Sequence, residues 1–471
     1  MQIKPPQLSI PDDNPFAEDA LNRAESAEIL TQLISTIDEP FVLAIDSAWG
    51  TGKTTFLKMW VQSLKNKGFP CLYFNAWEND FSNDPMVSLI GEIETGIDYI
   101  GLVDERKRKL KEYFSKAKEL GVTFVKRSLP AAIKIATAGA LDLEELSEQA
   151  LADLATNYAK ERIDKYEADK LTVKNFKIRL ADFVKELSTV SGTGESRPLI
   201  FFIDELDRCR PNYALELLEK AKHLFDIKGI IFILTLDKQQ IGHSIRCLYG
   251  AGMDVDGYLR RFIDLDYRLP DPPKEVFCRF LFERFGFSEY FKNRVTRDAR
   301  YETEQFLNVF SNLCVIFGLS LRVQEQCFSQ LSLVLRTTPS NFKVYPVFLG
   351  TLVALKASNL ELYRDYVKKI ADAQKVLQYI SEMPGGTVFL QENYGIELEA
   401  YLVIGHGERK DLNEIRDRYG RTAEDSGQSE NNRERARRIL GLLDHFSMYD
   451  SYGMVAYLAK KIEVADRFIT S

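Results

Sequence analysis

The stretch SAWGTGKTT, Ser47–Thr55, follows a short apolar run, FVLAI (Phe41–Ile45), and precedes a segment in which Leu57, Trp60, Val61 and Leu64 recur at helical spacing. Strand, glycine-bearing loop and helix, in that order, are the context that a polyphosphate-binding loop requires. A polyphosphate carries several charges, and a loop holds it only where backbone N–H groups converge on its oxygens. Gly50 and Gly52 permit that close path, and the following helix aims its N-terminus at the phosphates. Ser47, Ala48, Trp49, Gly50, Thr51, Gly52 and Thr55 are therefore read as the loop that surrounds the nucleotide. Lys53 is expected to reach the β- and γ-phosphates, and the Thr54 hydroxyl to ligate Mg²⁺. The loop departs from G-x-x-x-x-G-K-[ST] at its first position, where Ser47 replaces glycine.

A second signal lies downstream in LIFFIDELDRCRP, Leu199–Pro211. An apolar run ending in Asp-Glu puts two carboxylates at the C-terminal tip of a buried strand, where open α/β sheets build their sites. Asp204 suits the carboxylate on the Mg²⁺ side, and Glu205 the residue that orients and polarises the attacking water. Asp207 and Arg208 follow at once, either tuning this site or pairing with each other.

Two further short runs, CLYFN (Cys71–Asn75) and GIIFILTLD (Gly229–Asp237), have the unbroken apolar form of strands buried on both faces of a parallel sheet. A fifth, FIDLDYRL (Phe262–Leu269), alternates apolar and charged residues and suits a strand nearer an edge. Helical patterns separate these strands, with Pro211 well placed at a helix start. The expected fold is α/β: a P-loop NTPase parallel sheet of about five strands, with a helical insertion and a C-terminal helical domain. If the sheet is of the additional-strand type, Gly229–Asp237 lies between the loop strand and the acidic strand. Thr235 and Asp237 then face the γ-phosphate, with Thr235 as the sensor and a plain capping role as the alternative.

The expected division is an extended arm over 1–19, a core over 20–80 plus 196–270, a helical insertion over 81–195 and a helical lid or interaction domain over 271–471. The insertion contains a basic run, RKRKLK (Arg106–Lys111), a long charged helix over Asp142–Tyr166 and a closing loop, Ser191–Pro198. Within the C-terminal third, Arg418–Arg433 reads as a mobile loop.

Composition narrows the remaining classes. A net charge of -7 gives no global pull toward nucleic acid. The six cysteines are scattered without a C-x-x-C pair, which suits a reduced, cytoplasmic setting. The four histidines lie at no metal-ligand spacing, which argues against zinc. The most apolar stretch, Leu129–Leu143, is too short to span a bilayer and carries Lys134, Pro130 and Asp142. A membrane role is not expected.

Taken in order, AWGTGKTTFL, FNAW (Phe74–Trp77), FFIDELDRCRP, FILTLD and YLRRFIDLDYRLP (Tyr258–Pro270) resemble the KAP P-loop NTPases, as does the opening Asp13–Leu30. The resemblance covers roughly 12–80 and 196–340. It implies an ATPase of the additional-strand class that uses ATP and Mg²⁺ and serves signalling or assembly. Several bacterial relatives act in phage exclusion, which implies antiviral defence with a homo-oligomer or a separately encoded effector as partner. In many relatives the insertion carries paired transmembrane helices, and here it does not. By likeness to related ATPases, Arg261 (or its neighbour Arg260) stands where a finger is offered to a neighbouring subunit, and Arg322 stands as a lid arginine touching nucleotide. Trp77 is expected to end the second strand and pack against the insertion. Two alternatives stay open: a nucleic-acid-dependent motor or loader using the basic run, and a scaffold that binds ATP with little turnover.

Overall fold

A computed structural model describes residues 3, 9–82, 84–99, 104–128, 167–168, 170–187, 197–271, 273–293, 299–339, 345–406, 409–447 and 454–465. The chain divides into two compact units, one of residues 10–271 and one of residues 272–471 joined by residues 1–9.

The first unit is built on a five-stranded parallel sheet. Its strands are β1 (Phe41–Asp46), β2 (Cys71–Asn75), β3 (Leu199–Asp204), β4 (Ile230–Leu236) and β5 (Leu265–Arg268), in the order β2-β3-β4-β1-β5. The register sets Phe202 against Ile233 and Leu43 against Ile233, so β4 separates the acidic strand from the loop strand. This is the additional-strand arrangement that the family resemblance implied. β3 and β4 are buried at every position, as strands covered on both faces must be.

Alternate residues of the strands feed two cores. Leu43, Ile45, Ile200, Phe202, Ile231 and Ile233 pack with α1 (Ala24–Ser35) and α2 (Lys53–Asn66). Val42, Ala44, Phe201, Ile203, Phe232 and Leu234 face the other way, toward α3 (Pro85–Tyr99), α4 (Asp104–Ser128), α5 (170–187) and α6 (Pro211–Phe225). Trp60 of α2 is fully buried, edge-on to Phe202 at 5.4 Å between ring centroids, and its indole N–H donates to Thr31 Oγ1 at 2.9 Å. Trp60→Ala is expected to lower stability by about 3–5 kcal/mol through cavity formation, with the Thr31 hydroxyl losing its donor while it still donates to Ala27 O. Urea unfolding with an unchanged slope is the check.

The edge strand differs in detail from its pattern. β5 pairs only with β1, and Leu265, on the apolar side of the alternation, is exposed. The α1–α2 layer covers the same face further along, where Tyr267 packs on it and Leu269 is buried, but does not reach Leu265. Residues 10–22 include turns at Asn14–Ala17 and Phe16–Asp19, and Phe16 packs on the core beside α1, so this part is not an extended arm.

The insertion is helical where described. The charged helix expected over Asp142–Tyr166, the apolar stretch Leu129–Leu143 and most of the loop Ser191–Pro198 lie outside the described residues. In the basic run, Lys109 pairs with Glu186 and Lys111 with Asp98 (2.6 Å), and further along Lys118 pairs with Glu94 (2.7 Å). These charges hold α4 to α3 and α5.

The second unit is helical throughout its described part. Its centre is a cluster of phenylalanines, with Phe282, Phe287, Phe306, Phe310 and Phe328 in ring contact. Arg418–Arg433 is not a long loop. Helices Arg409–Glu424 and Glu430–Ser447 take up most of it, leaving a turn at 425–429 that Asp425 closes by accepting from Gly427 N. Its polar residues are the wet faces of two paired helices. Among the described residues no helix is long and apolar enough to cross a membrane.

Candidate functional site

The loop from β1 to α2 turns on two glycines in left-handed conformation, Gly50 (φ 74°) and Gly52 (φ 83°), and Gly52 caps α2. Those φ values exclude side chains without strain, which is why glycine stands at both. Ser47 has no such φ, so the glycine usual at its position is not needed for conformation. Its hydroxyl instead bridges the loop to the Thr51 hydroxyl at 2.6 Å, and Thr51 donates on to Ala48 O at 2.8 Å. Ser47 N is anchored to Leu236 O at the end of β4.

A brace that the sequence did not reveal comes from Arg23. It is buried, and it donates to Thr51 O at 3.3 Å and to Pro270 O at 2.6 Å, tying the loop to the chain just past β5. Burial lowers its pKa against the opposing charge of Asp19.

Across the cavity, Asp204 ends β3 with no exposed surface. Its carboxylate accepts from Tyr73 Oη (2.7 Å), from Glu205 N (2.8 Å) and from the Thr235 hydroxyl. Burial, then the Asp204 charge, push the Tyr73 phenol well above its ordinary range, so it stays a donor. Thr235, fully buried, thus faces Asp204, and Asp237 caps the helix Lys238–Tyr249 (α7) by accepting from Gln239 N and Gln240 N.

Glu205 adopts a left-handed φ of 58°, a strained conformation for a residue with a Cβ, typically costing about 1–3 kcal/mol. Its carboxylate is 3.5 Å from the Thr54 hydroxyl, accepts from Asn75 Nδ2 at 3.3 Å and pairs with Arg208 at 2.9 Å. Asn75 was overlooked in the sequence because it reads as the last residue of an apolar strand. Its register opposite Asp204 puts it beside the acidic tip. Asp207 belongs to the same turn: its Oδ2 accepts from Trp49 Nε1 (2.5 Å) and Asp237 N (3.1 Å) and stands 3.6 Å from Lys53 Nζ, which also donates to Ser47 O at 2.8 Å. Asp207 and Arg208 therefore do not pair with each other. One turns to the lysine and one to the glutamate.

A cavity of about 140 Å³ collects these groups: Ala48, Trp49, Gly50, Gly52, Lys53, Thr54 and Thr55 on one side, Asp204, Glu205, Asp207 and Arg208 on the other. It is smaller than the roughly 300–1,000 Å³ that encloses a whole ligand, and suits phosphate groups with the rest of a nucleotide outside. Ser47 and Thr51 lie beneath it as braces. Facing it are a hydroxyl and carboxylates, the hard oxygen donors that fit Mg²⁺.

Arg261 is not among the residues that line this cavity. Arg261 is exposed just after the helix Val255–Leu259 (α8), its guanidinium 5.8 Å from the Tyr258 ring. Arg322 belongs to the second unit, exposed near the start of helix Leu321–Arg336, where its charge lowers the Glu325 pKa against the larger effect of burial. Trp77 does not pack away: it is 53% exposed, two residues past β2, with Arg208 5.9 Å from its ring. The strand ends at Asn75, whose side chain accepts from Trp77 N and turns the chain outward.

No protein among the curated sequences matches the chain. Among solved structures, "Structure of the Aeropyrum Pernix ORC2 protein (ADPNP-ADP complexes)" aligns over 99% of this chain and 97% of that one, at 13% identity and a TM-score of 0.31, a likeness too slight to argue from. The family model described as "KAP family P-loop domain" matches residues 23–344, an unbroken span that includes the insertion and is well over half of the chain. The protein is a member of the KAP family of P-loop NTPases.

Proposed function

We propose that this chain binds ATP with Mg²⁺, hydrolyses it, and uses the cycle to switch an assembly of its own copies or of partner proteins. The observation that carries the reading is the meeting of Lys53 and Thr54 with Asp204 and Glu205 around one cavity at the C-terminal edge of the sheet. Backbone N–H groups at the start of α2 and the Lys53 ammonium bind the phosphates. Thr54 and Asp204 are the residues that would hold the metal. When bound, Mg²⁺ neutralises charge on the β- and γ-oxygens. Asp204 already accepts three hydrogen bonds, which suits a carboxylate acting through an intervening water. Glu205 takes the role of orienting the attacking water, once its carboxylate is free of Arg208 and Asn75.

Phosphate release by purified protein, with and without Mg²⁺, tests hydrolysis. No release under single-turnover conditions would leave the non-hydrolysing scaffold as the reading. The assembly part is tested by sizing the protein without nucleotide, with an ATP analogue and with ADP. A larger species is expected with the analogue, and a monomer in all three states would leave Arg260 and Arg261 without a neighbour to act on. The antiviral task rests on family resemblance alone.

The buried Asp207 carboxylate competes with phosphate for Lys53. Asp207→Asn is therefore expected to raise ATP affinity about tenfold, the scale of one weakened charge contact. Titration calorimetry measures it, and Trp49 fluorescence supplies a second readout because the indole N–H loses its anionic partner.

A further inference from the structure

Glu205 and the 3₁₀ turn that it caps, Leu206–Arg208, present three charged side chains to the cavity. Arg208 N donates to Glu205 O at 3.1 Å, and the Arg208 side chain turns back on its cap, its guanidinium 2.9 Å from Glu205 Oε1. That same oxygen is 3.5 Å from the hydroxyl of Thr54. Arg208 is thus two short contacts away from the residue expected beside the γ-phosphate and metal. It lines the cavity with Lys53, whereas Arg261 does not.

What holds Arg208 is slight. Its side chain is 35% exposed, and its described partners are the Glu205 carboxylate and the face of Trp77. The pair is partly buried, with Glu205 11% exposed, but one carboxylate offers a single negative charge, and a triphosphate with several negative oxygens in the same cavity attracts the guanidinium more strongly. Transfer of Arg208 to phosphate would also free Glu205 to face water.

We infer that Arg208 is a catalytic arginine supplied in cis, which leaves Glu205 for the γ-phosphate when ATP binds. The inference rests on the ATPase reading above. In the step it serves, the water oxygen bonds to the γ-phosphorus while the bond from that phosphorus to the β–γ bridging oxygen breaks. The water passes a proton to Glu205, and the electron pair of the broken bond stays on ADP. Negative charge grows on the bridging oxygen and is redistributed over the transferred group, where a guanidinium has bidentate donors to offer.

Arg208→Ala and Arg208→Lys are compared with wild type for ATP turnover, for ADP affinity, and for affinity of ADP with aluminium fluoride, which mimics the transferred phosphoryl group. Turnover is expected to fall about 10³-fold in Arg208→Ala, with ADP affinity unchanged to within about threefold, since ADP lacks the γ-phosphate that Arg208 meets. Retained ADP binding also shows that the variant is folded. A residue that merely positions Glu205 would give the same loss of turnover, so the cycle is closed with Glu205→Gln. Weakened aluminium fluoride binding on adding Arg208→Ala to Glu205→Gln supports direct contact. No further weakening means that Arg208 acts only through Glu205, and overturns the inference, as does wild-type turnover in Arg208→Ala. If wild type itself binds no ATP, the ATPase reading fails first, and this inference with it.

Discussion

Lys53→Ala is expected to reduce ATP affinity by about three orders of magnitude. A unit charge about 4 Å from a phosphate oxygen, at the effective dielectric of a protein surface, contributes about 4 kcal/mol. The loss is not limited to that attraction. Asp207 is 2% exposed at its side chain and stands 3.6 Å from Lys53 Nζ, so removing the ammonium leaves a buried carboxylate without its counter-ion, facing the phosphates. Repulsion then adds to lost attraction. Filter binding or calorimetry measures the affinity, and thermal unfolding shows whether the uncompensated Asp207 also lowers stability. Wild-type affinity in Lys53→Ala would mean that the Ser47–Thr55 loop does not bind phosphate.

Glu205→Gln is expected to keep ATP bound while turnover falls about 10²–10⁴-fold, the usual contribution of a positioned general base. Glutamine preserves the shape and can still accept from Asn75 and Thr54, so the cavity survives. What it loses is the ability to take a proton and to pair with Arg208. One negative charge fewer near the phosphates also means that ATP affinity stays level or rises. Single-turnover hydrolysis against equilibrium binding separates the two effects. Unchanged turnover would take the role of water-orienting residue away from Glu205.

Much of this architecture was legible because fully buried parallel strands have to be apolar throughout. Cys71–Asn75 and Leu199–Asp204 were read to the residue, and the runs at Phe41 and Gly229 to within one. Gly50 and Gly52 were legible for a related reason, since positive φ leaves little else. The weaker readings came where local pattern and burial part company. Leu265 obeys the alternation of an edge strand yet is exposed, because alternation reports two faces and not whether anything covers them. The polar stretch Arg418–Arg433 looked like a loop because two exposed helix faces joined by a turn have the composition of one.

The sequence by itself determined the parallel sheet, the phosphate loop and the presence of acid at a strand tip, since each depends on residues adjacent in the chain and on their chemistry. Only the tertiary structure decided who pairs with whom: Asp207 with Lys53, Arg208 with Glu205, Asn75 with Glu205, Tyr73 and Thr235 with Asp204, and Arg23 with the loop. Those pairs join residues up to 154 positions apart, as Lys53 and Asp207 are, or depend on the hand of one 3₁₀ turn. Strand order and register bring them within reach, and no local spacing encodes that distance.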